Sequence, residues 1–512
     1  MNQIDPSKRF NADAVRSHDG GAPDAERKSE LNDIAEQVAL QYRADSTSPV
    51  IVTGMLRLAE FGMLVVLGFA IYLFYVGVRK EFLWQYPAAI FFGAALLVII
   101  MEMSDGYQIP ALRNPWGQIG RILFSWAGVF ALLALAGFFL KLSAEFSRVW
   151  LASWFGGGFV LLVIVRLALS RVIRRWGRNG KMERRALIVG GGPNAEGLIR
   201  SLEAQPDNDI RICGIFDDRD DVRSPPVVAG YPKLGTIGEL IEFSRIARID
   251  MLIVALPLTA ESRVLTLLKR LWVLPVDIRL SAHSNKLQFR PRSYSHIGSV
   301  PMLDIFDKPI NDWDSVAKRA FDVFFSVLGI IALSPIMLAT AIAIKLDSPG
   351  PVIFRQKRHG FNNEEIEVLK FRSMYIDMAD PLAKKMVTKG DPRVTKVGRF
   401  IRKTSIDELP QFFNALRGDL SLVGPRPHAV YAQTRDKMFN EVVEGYFARH
   451  RVKPGVTGWA QISGWRGEID SDEKIKMRTE YDLYYIENWS LWLDLKILFL
   501  TPSRLLNTEN AY

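Results

Sequence analysis

Four long apolar runs, at about 51–78, 86–103, 119–140 and 149–169, constrain this chain more than any other feature. Each is close to the ~20 residues that cover the hydrocarbon core of a bilayer. Four in succession, joined by short polar connectors, are hard to hide in a globular interior, so they predict four transmembrane helices; a buried soluble helix is the alternative. Flanking charge gives their direction. Arg171, Arg174, Arg175, Arg178, Lys181, Arg184 and Arg185 form the densest basic cluster beside any run, which starts the following chain in the cytoplasm. Four crossings then put the N-terminus there too. The connectors around Arg79-Lys80 and 141–148 carry fewer cations, as outer loops should.

At 512 residues the chain needs several structural units rather than one core. Hydrophobic residues make up 49%, which excludes a wholly disordered chain. The single cysteine, Cys213, excludes an intrachain disulfide framework and a multi-thiolate metal centre, and fits a reducing, cytosol-facing body. The net charge of +10 suits nucleic acid, anionic lipid or phosphate-bearing substrates without choosing among them. Residues 1–50 lack the apolar stretch of a signal peptide and read as a disordered cytoplasmic tail with one short helix near 31–43.

After the basic cluster the texture becomes alternating strand and helix. ALIVG, a glycine-rich turn, a helix near 195–204, RICGIFDD, a helix near 237–248 and MLIVALP make a βαβ-like unit with buried parallel strands, placed at 184–300. The turn GGGPNA supplies Gly190 and Gly192, and Asp217 ends the next strand, in the layout of a dinucleotide fingerprint. A bound nucleotide is one reading. The other is that these glycines merely permit a tight strand-to-helix turn.

A fifth apolar segment, 321–344, is long enough to span, yet holds Ser334-Pro335 at its middle. Lys318 and Arg319 precede it; Lys345, Arg355, Lys357 and Arg358 follow. Cations at both ends place both ends in the cytoplasm, and an interior proline bends a helix, so a segment that enters, breaks and returns satisfies both. A plain fifth crossing is the alternative.

From 349 to 464 the chain is basic, loop-rich and dense in unusual residues. Asp407-Glu408 is an acidic pair among Lys370, Arg372, Arg393, Lys396, Arg399, Arg402, Lys403 and Arg426. In isolation such a pair is a solvated turn, or, with Ser405, a capping box. Pro410 argues against a regular helix through that box and suits the first turn of PQFFNAL, leaving the pair on its lead-in. A carboxylate attacks a phosphoryl group only if anion–anion repulsion is screened, which guanidinium groups and a divalent ion provide. Magnesium, held by Asp407 and Glu408, is the ion that matches hard oxygen ligands and a diphosphate. Gly424-Pro425-Arg426-Pro427 fixes one arginine between prolines, as phosphate recognition or simply a rigid turn.

From Lys318 onward these motifs, KFRSM at 370–374, the run 391–427 and RHRVKPGVTGWAQISG at 449–464, together resemble the bacterial sugar transferase family of monotopic polyprenyl-phosphate phosphoglycosyl transferases. The whole chain resembles the long form, the undecaprenyl-phosphate hexose phosphotransferases that begin exopolysaccharide or capsule synthesis. The resemblance implies a membrane α plus α/β protein: a four-helix transmembrane bundle, a Rossmann-like domain, and a mainly helical α+β catalytic domain at 315–512 with a re-entrant helix at 318–347. It implies transfer of a sugar 1-phosphate from a UDP-hexose to undecaprenyl phosphate, releasing UMP through a phosphorylated aspartate. Asp407 would be the nucleophile and Glu408 its partner. Lys370, Arg402 and Arg426 match basic positions of the family, and Arg372 joins them as a phosphate-binding candidate. Ser334-Pro335 matches the break of the re-entrant helix. The protein would be a multi-pass protein of the bacterial inner membrane with its catalytic domain cytoplasmic. Membrane lipid, a second copy of the chain and polysaccharide-assembly proteins are the expected partners, and nucleic acid is not.

The terminus Asn510-Ala511-Tyr512 resembles glucose-transferring relatives, so UDP-glucose is the first expectation and UDP-galactose the second. Nucleotide-sugar dehydratases or epimerases share the front half but need a Tyr-x-x-x-Lys pair, and no tyrosine here has lysine four places on. A membrane-anchored nucleotide-binding regulator, or a scaffold of polysaccharide assembly, is the non-enzymatic alternative.

Overall fold

The computed structural model describes residues 10, 14–15, 18, 30–43, 48–78, 82–142, 145–178, 182–205, 210–220, 222–257, 259–282, 295–297, 300–378, 391–428, 433–434, 437–443, 445–465, 467 and 471–506. Most of the N-terminal tail, Arg79-Lys80, Lys181 and Asn510-Ala511-Tyr512 lie outside the described residues. The chain divides into two compact units, one of residues 45–184 and 209–211, the other of the remainder. Helix α1 (Asp33–Gln41) belongs to the larger unit.

The smaller unit contains α2 (Pro49–Ile71, continued by a π turn Tyr72–Val76), α3 (Gln85–Met103), α4 (Pro115–Phe139) and α5 (Arg148–Arg178). All four are long and apolar enough to cross a membrane, as the hydropathy pattern predicts. Tryptophan fills their shared core. Trp150 Nε1 donates to Gly68 O at 3.2 Å, Trp154 Nε1 to Leu64 O at 3.1 Å and Trp126 Nε1 to Phe155 O at 2.9 Å, so each buried indole keeps its N–H satisfied. One buried charge is likewise fully met. Arg166 donates to both oxygens of Glu60, at 2.5 and 3.0 Å, to Gln118 Oε1 at 2.6 Å and to Gly106 O at 2.7 Å. An ionised side chain inside an apolar bundle persists only with such partners.

In the larger unit an eight-stranded mixed sheet is formed by β1 (Arg184–Val189), β2 (Ile210–Phe216), β3 (Val227–Val228), β4 (Tyr231–Gly235), β5 (Met251–Val254), β6 (Asp277–Ser281), β7 (Ser295–Ile297) and β8 (Val300–Phe306), in the order β3-β4-β2-β1-β5-β6-β8-β7. Helices α6 (Pro193–Glu203), α7 (Ile237–Ile246) and α8 (Glu261–Leu271) connect the strands. β1 pairs parallel with β5, and β5 with β6, as the βαβ reading requires; β8 adds antiparallel to β6, β7 adds to β8 at the edge, and the sheet runs to Phe306, past the expected limit of 300. Helix α1 docks on this domain instead of trailing as a tail. Ala35 and Ala39 are fully buried in its core, and Asn32 caps α1 while donating to Leu234 O at 2.6 Å.

The long helix α9 (Asp312–Asp347) opens the C-terminal domain. Helical structure runs through Ser334-Pro335, so the expected break is not a break in the secondary structure. The reason is local. Proline at 335 has no N–H for the carbonyl of Ile331, four residues back, and the hydroxyl of Ser334 donates to that carbonyl at 2.9 Å in its place. Both halves of α9 are tied to the same domain. Lys318 Nζ bonds Asp494 Oδ2 at 2.6 Å and Val423 O at 3.0 Å, Arg319 covers Ala415 O and Leu416 O, and Asp322 accepts from Leu422 N at 3.0 Å. At the other end Ile344 packs on Phe371 and Ile401, and Asp347 accepts from Val397 N at 3.1 Å.

The domain continues with an antiparallel hairpin, β9 (Ile353–His359) and β10 (Glu365–Phe371), then α10 (Lys396–Lys403), a 3₁₀ turn Ile406–Glu408 and α11 (Gln411–Arg417). Strand β11 (Ser421–Val423) pairs parallel with β12 (Gly455–Thr457), and α12 (Asp472–Glu487) and α13 (Leu491–Leu506) complete it. Helix α13 has two faces: Asp494 and Ile497 are fully buried, whereas Trp492 and Phe499 are exposed.

Candidate active site

Asp407 and Glu408 sit on the 3₁₀ turn between α10 and α11. The capping box does not form: Ser405 adopts a left-handed backbone, φ 58°, and caps nothing. A non-glycine residue held there costs about 1–3 kcal/mol, a strain that the surrounding packing must hold. Pro410 stands at the N-cap of α11, so the pair does occupy the lead-in to that helix.

The two carboxylates are in opposite electrostatic states. Glu408 accepts from Lys370 Nζ at 2.9 Å and from Arg426 at 2.6 and 3.1 Å. Burial pushes its pKa up, but Arg426 and Lys370 outweigh burial and hold it well below the usual carboxylate range. Asp407 is 8% exposed, and its carboxylate makes no hydrogen bond or ion pair among the described residues. Burial, reinforced by the charge of Glu408, raises its pKa to about 6 against the opposing pull of Lys370, Arg402 and Arg426. One acid is clamped and the other is free.

Hairpin geometry supplies a cation that sequence reasoning passed over. Residues opposite each other across an antiparallel pair share a face, and Phe354 pairs with Lys370, so Arg358, four residues on, lies on the Lys370 face. Arg358 donates to Gln356 and to Pro427 O, and its pKa is pushed down to about 10 by burial and by Arg426. Strand alternation, had the hairpin been recognised, would have found it. On the outer face Arg355 and Lys357 pair instead with Glu367 and Glu365.

Arg426 is fixed from behind. Gly424 and Gly455 lie backbone against backbone, where a β-carbon on Gly455 would come within 2.1 Å of Gly424 N. This contact lets Gly424 N donate to Thr457 O and Gly455 N to Pro425 O, both at 2.9 Å. Buried Arg449 pairs with Asp482 and donates to Arg426 O at 2.9 Å.

The structure therefore gathers Asp407, Glu408, Lys370, Arg402 and Arg426, and adds Arg358. Arg372 bonds elsewhere: its terminal nitrogens donate to Ser348 O, Ser348 Oγ and Pro349 O at the end of α9. Arg393 is paired with Asp391. No group of three or more His, Cys, Asp or Glu side chains that could hold a metal ion occurs among the described residues. Both oxygens of Glu408 accept from cations, whereas the Asp407 carboxylate makes no hydrogen bond or ion pair among the described residues.

Four buried or half-buried cations around two carboxylates leave net positive charge, the setting of a protein that handles phosphate or diphosphate esters. Residues 313–508 match the bacterial sugar transferase family, and residues 102–282 match a family described as a CoA-binding domain. The chain is 36% identical over 390 residues (76% of this chain, 80% of the relative) to UDP-glucose:undecaprenyl-phosphate glucose-1-phosphate transferase of Xanthomonas campestris pv. campestris. It is 37% identical over 366 residues (71% and 76%) to the protein of the same description in Escherichia coli (strain K12). An exopolysaccharide production protein PSS of Rhizobium leguminosarum bv. phaseoli is 46% identical over 188 residues, 37% of this chain but 94% of that one. The chain belongs to the bacterial sugar transferase family.

The glycine-rich turn is engaged by the chain's own groups. Gly190 and Gly192 have the positive φ that such turns need, 99° and 84°. The space they open is taken by the chain itself. Gly191 N donates to Asp217 Oδ2 at 2.6 Å, Arg219 bonds both oxygens of Asp217 and Gly191 O, and a β-carbon on Gly192 would meet Arg223 O at 2.9 Å. Both oxygens of Asp217 thus accept from Arg219, and the glycines form a tight strand-to-helix turn.

Proposed function

We propose that this chain moves glucose 1-phosphate from UDP-glucose to undecaprenyl phosphate, giving undecaprenyl-diphosphate-glucose and UMP, as the first step of exopolysaccharide assembly. The observation that carries the mechanism is the free carboxylate of Asp407 beside a fully clamped Glu408. Above its pKa an Asp407 oxygen attacks the β-phosphorus. The bond from that phosphorus to the bridging oxygen breaks, and UMP leaves with the electron pair. The lipid phosphate oxygen then attacks the same phosphorus, and the Asp407 O–P bond breaks to restore the carboxylate. Lys370, Arg358, Arg402 and Arg426 lower the cost of bringing a dianion to an anion. Glu408 holds Lys370 and Arg426 in place, and its depressed pKa keeps that pairing intact through neutral pH. Mg²⁺ suits one carboxylate plus substrate phosphate oxygens, with Asp407 as the protein ligand, and would add screening of the diphosphate charge.

Placement follows the same chemistry. A polyprenyl phosphate keeps its head at the membrane surface, and a helix whose two halves are both bound to one domain suits entry and return on a single leaflet. Exposed Leu328, Ile331, Leu338 and Leu346 on α9, with Trp492 and Phe499 on α13, provide the apolar surface for it. The basic cluster at the C-terminal end of α5 and just beyond it favours the cytoplasmic face of the inner membrane, with α2 to α5 crossing it.

The test is UMP release from UDP-glucose, UDP-galactose and a blank by purified protein with undecaprenyl phosphate and Mg²⁺. Release with UDP-glucose and a sugar-phosphate adduct on Asp407 are expected. Nucleotide binding with no UMP release would favour the scaffold reading.

A further inference from the structure

We propose that the Rossmann-like domain braces the transferase site, and that Asn362 is the positioning residue through which it holds the β9–β10 hairpin; this rests on the transferase reading above. The hairpin carries two of the cations around the dyad, Arg358 and Lys370. Its tip is the turn Phe361–Asn363, where Asn362 (φ 52°) and Asn363 (φ 60°) are both left-handed, a conformation that non-glycine residues seldom adopt. Asn362 is 6% exposed, and its Nδ2 donates at 2.8 Å to Ser244 O, near the C-terminal end of α7. Glu364 meets Arg248, just after α7, at 3.0 Å.

Helix α7 is in turn fixed to the sheet. Its N-terminal Ile237 N donates to Asp218 at 2.7 Å, beside the occupied glycine-rich turn, and its Leu240 and Phe243 are fully buried. The same domain reaches the opposite side of the site. Ala448 is buried in the sheet domain's core, Arg451 donates to Asp307 O at 2.9 Å, and a β-carbon on Gly445 would strike Trp272 at 2.2 Å. That turn carries Arg449, which holds Arg426, and His450, which meets Asn363. Both cations on Glu408, Lys370 and Arg426, are thus steadied from one domain.

Asn362→Gly and Asn362→Asp separate positioning from folding. Glycine accepts the left-handed backbone and removes the amide; aspartate keeps the shape but sets an acceptor against the Ser244 carbonyl. In full-length protein both should lower kcat/KM for UDP-glucose by about 10-fold, as a small misplacement of charged groups does. Hydrogen exchange across 353–371 should quicken while the Tm stays within about 2 °C of wild type. Wild-type kcat/KM with unchanged exchange would overturn the proposal, as would losses that track Tm or unfolding of both variants. The exchange arm needs no turnover: wild-type protein that releases no UMP, with hairpin protection lost in Asn362→Gly, would sink the transferase reading and leave the brace standing.

Discussion

At the scale of single residues, the dyad is a division of labour enforced by charge. Asp407 has its pKa raised to about 6, above the value of an unfolded aspartate, so the native state binds more protons than the unfolded state in between. Stability contributed by this group is therefore present at low pH and is lost as pH rises towards about 6, and nucleophilicity appears as pH passes through that value. Asp407→Asn should abolish turnover, by about 10³-fold or more, and raise the Tm at pH 7.5. The wild-type acid limb of kcat should fall near pH 6, read from initial UMP release. Arg402 and Arg372 make a second pair to compare. Arg402→Ala should lower kcat/KM with little change in Tm. Arg372→Ala should unfasten the end of α9 and lower the Tm, because its partners are the carbonyls of Ser348 and Pro349. Equal effects of the two on thermal melting would reject that assignment. Sequence does not show where the Arg372 guanidinium goes: Lys370 and Arg372 lie two apart on a ladder that Arg372 N continues to Val352 O, yet the Arg372 side chain reaches Ser348 and Pro349 at the end of α9.

At the scale of elements, pattern and exception divide in the same way. The membrane helices, the parallel strands and the N-terminal start of α11 were legible because each rests on local periodicity or proline chemistry. The hairpin was not, since β9 (IFRQKRH) puts Gln356 and Arg358 beside Phe354 on its inner face, leaving only the short alternation Ile366-Glu367-Val368 of β10 to read. The ion cluster of Arg166 and Glu60 was hidden by hydropathy averaged along runs, which dilutes two charges that the fold brings together. In α9 the Ser-Pro pair keeps the helix whole. Ser334→Ala should leave the Ile331 carbonyl unpaired among apolar surroundings, a cost of about 1–3 kcal/mol. The expected readouts are weaker membrane retention and lower heat resistance of activity; Ser334→Thr, which keeps the hydroxyl, should behave as wild type.

For the whole molecule, sidedness is the decisive property. Cys213 is buried in the sheet, 6% exposed, so an added cysteine can be read with little background. Arg355→Cys, on the solvent face of β9, should resist a membrane-impermeant maleimide in intact cells and react once the inner membrane is opened. Labelling in intact cells would mean that α9 crosses, and would remove the catalytic domain from its nucleotide-sugar supply.

The apolar residues left uncovered along α9 and α13 also decide how the enzyme behaves once the first 311 residues are cut away. A fragment starting at Asp312 would retain Leu346, Trp492 and Phe499 on its outside. Such a fragment should still sediment with vesicles after alkaline carbonate washing and should need detergent micelles to stay monodisperse, behaving as an integral protein without any of the four N-terminal helices.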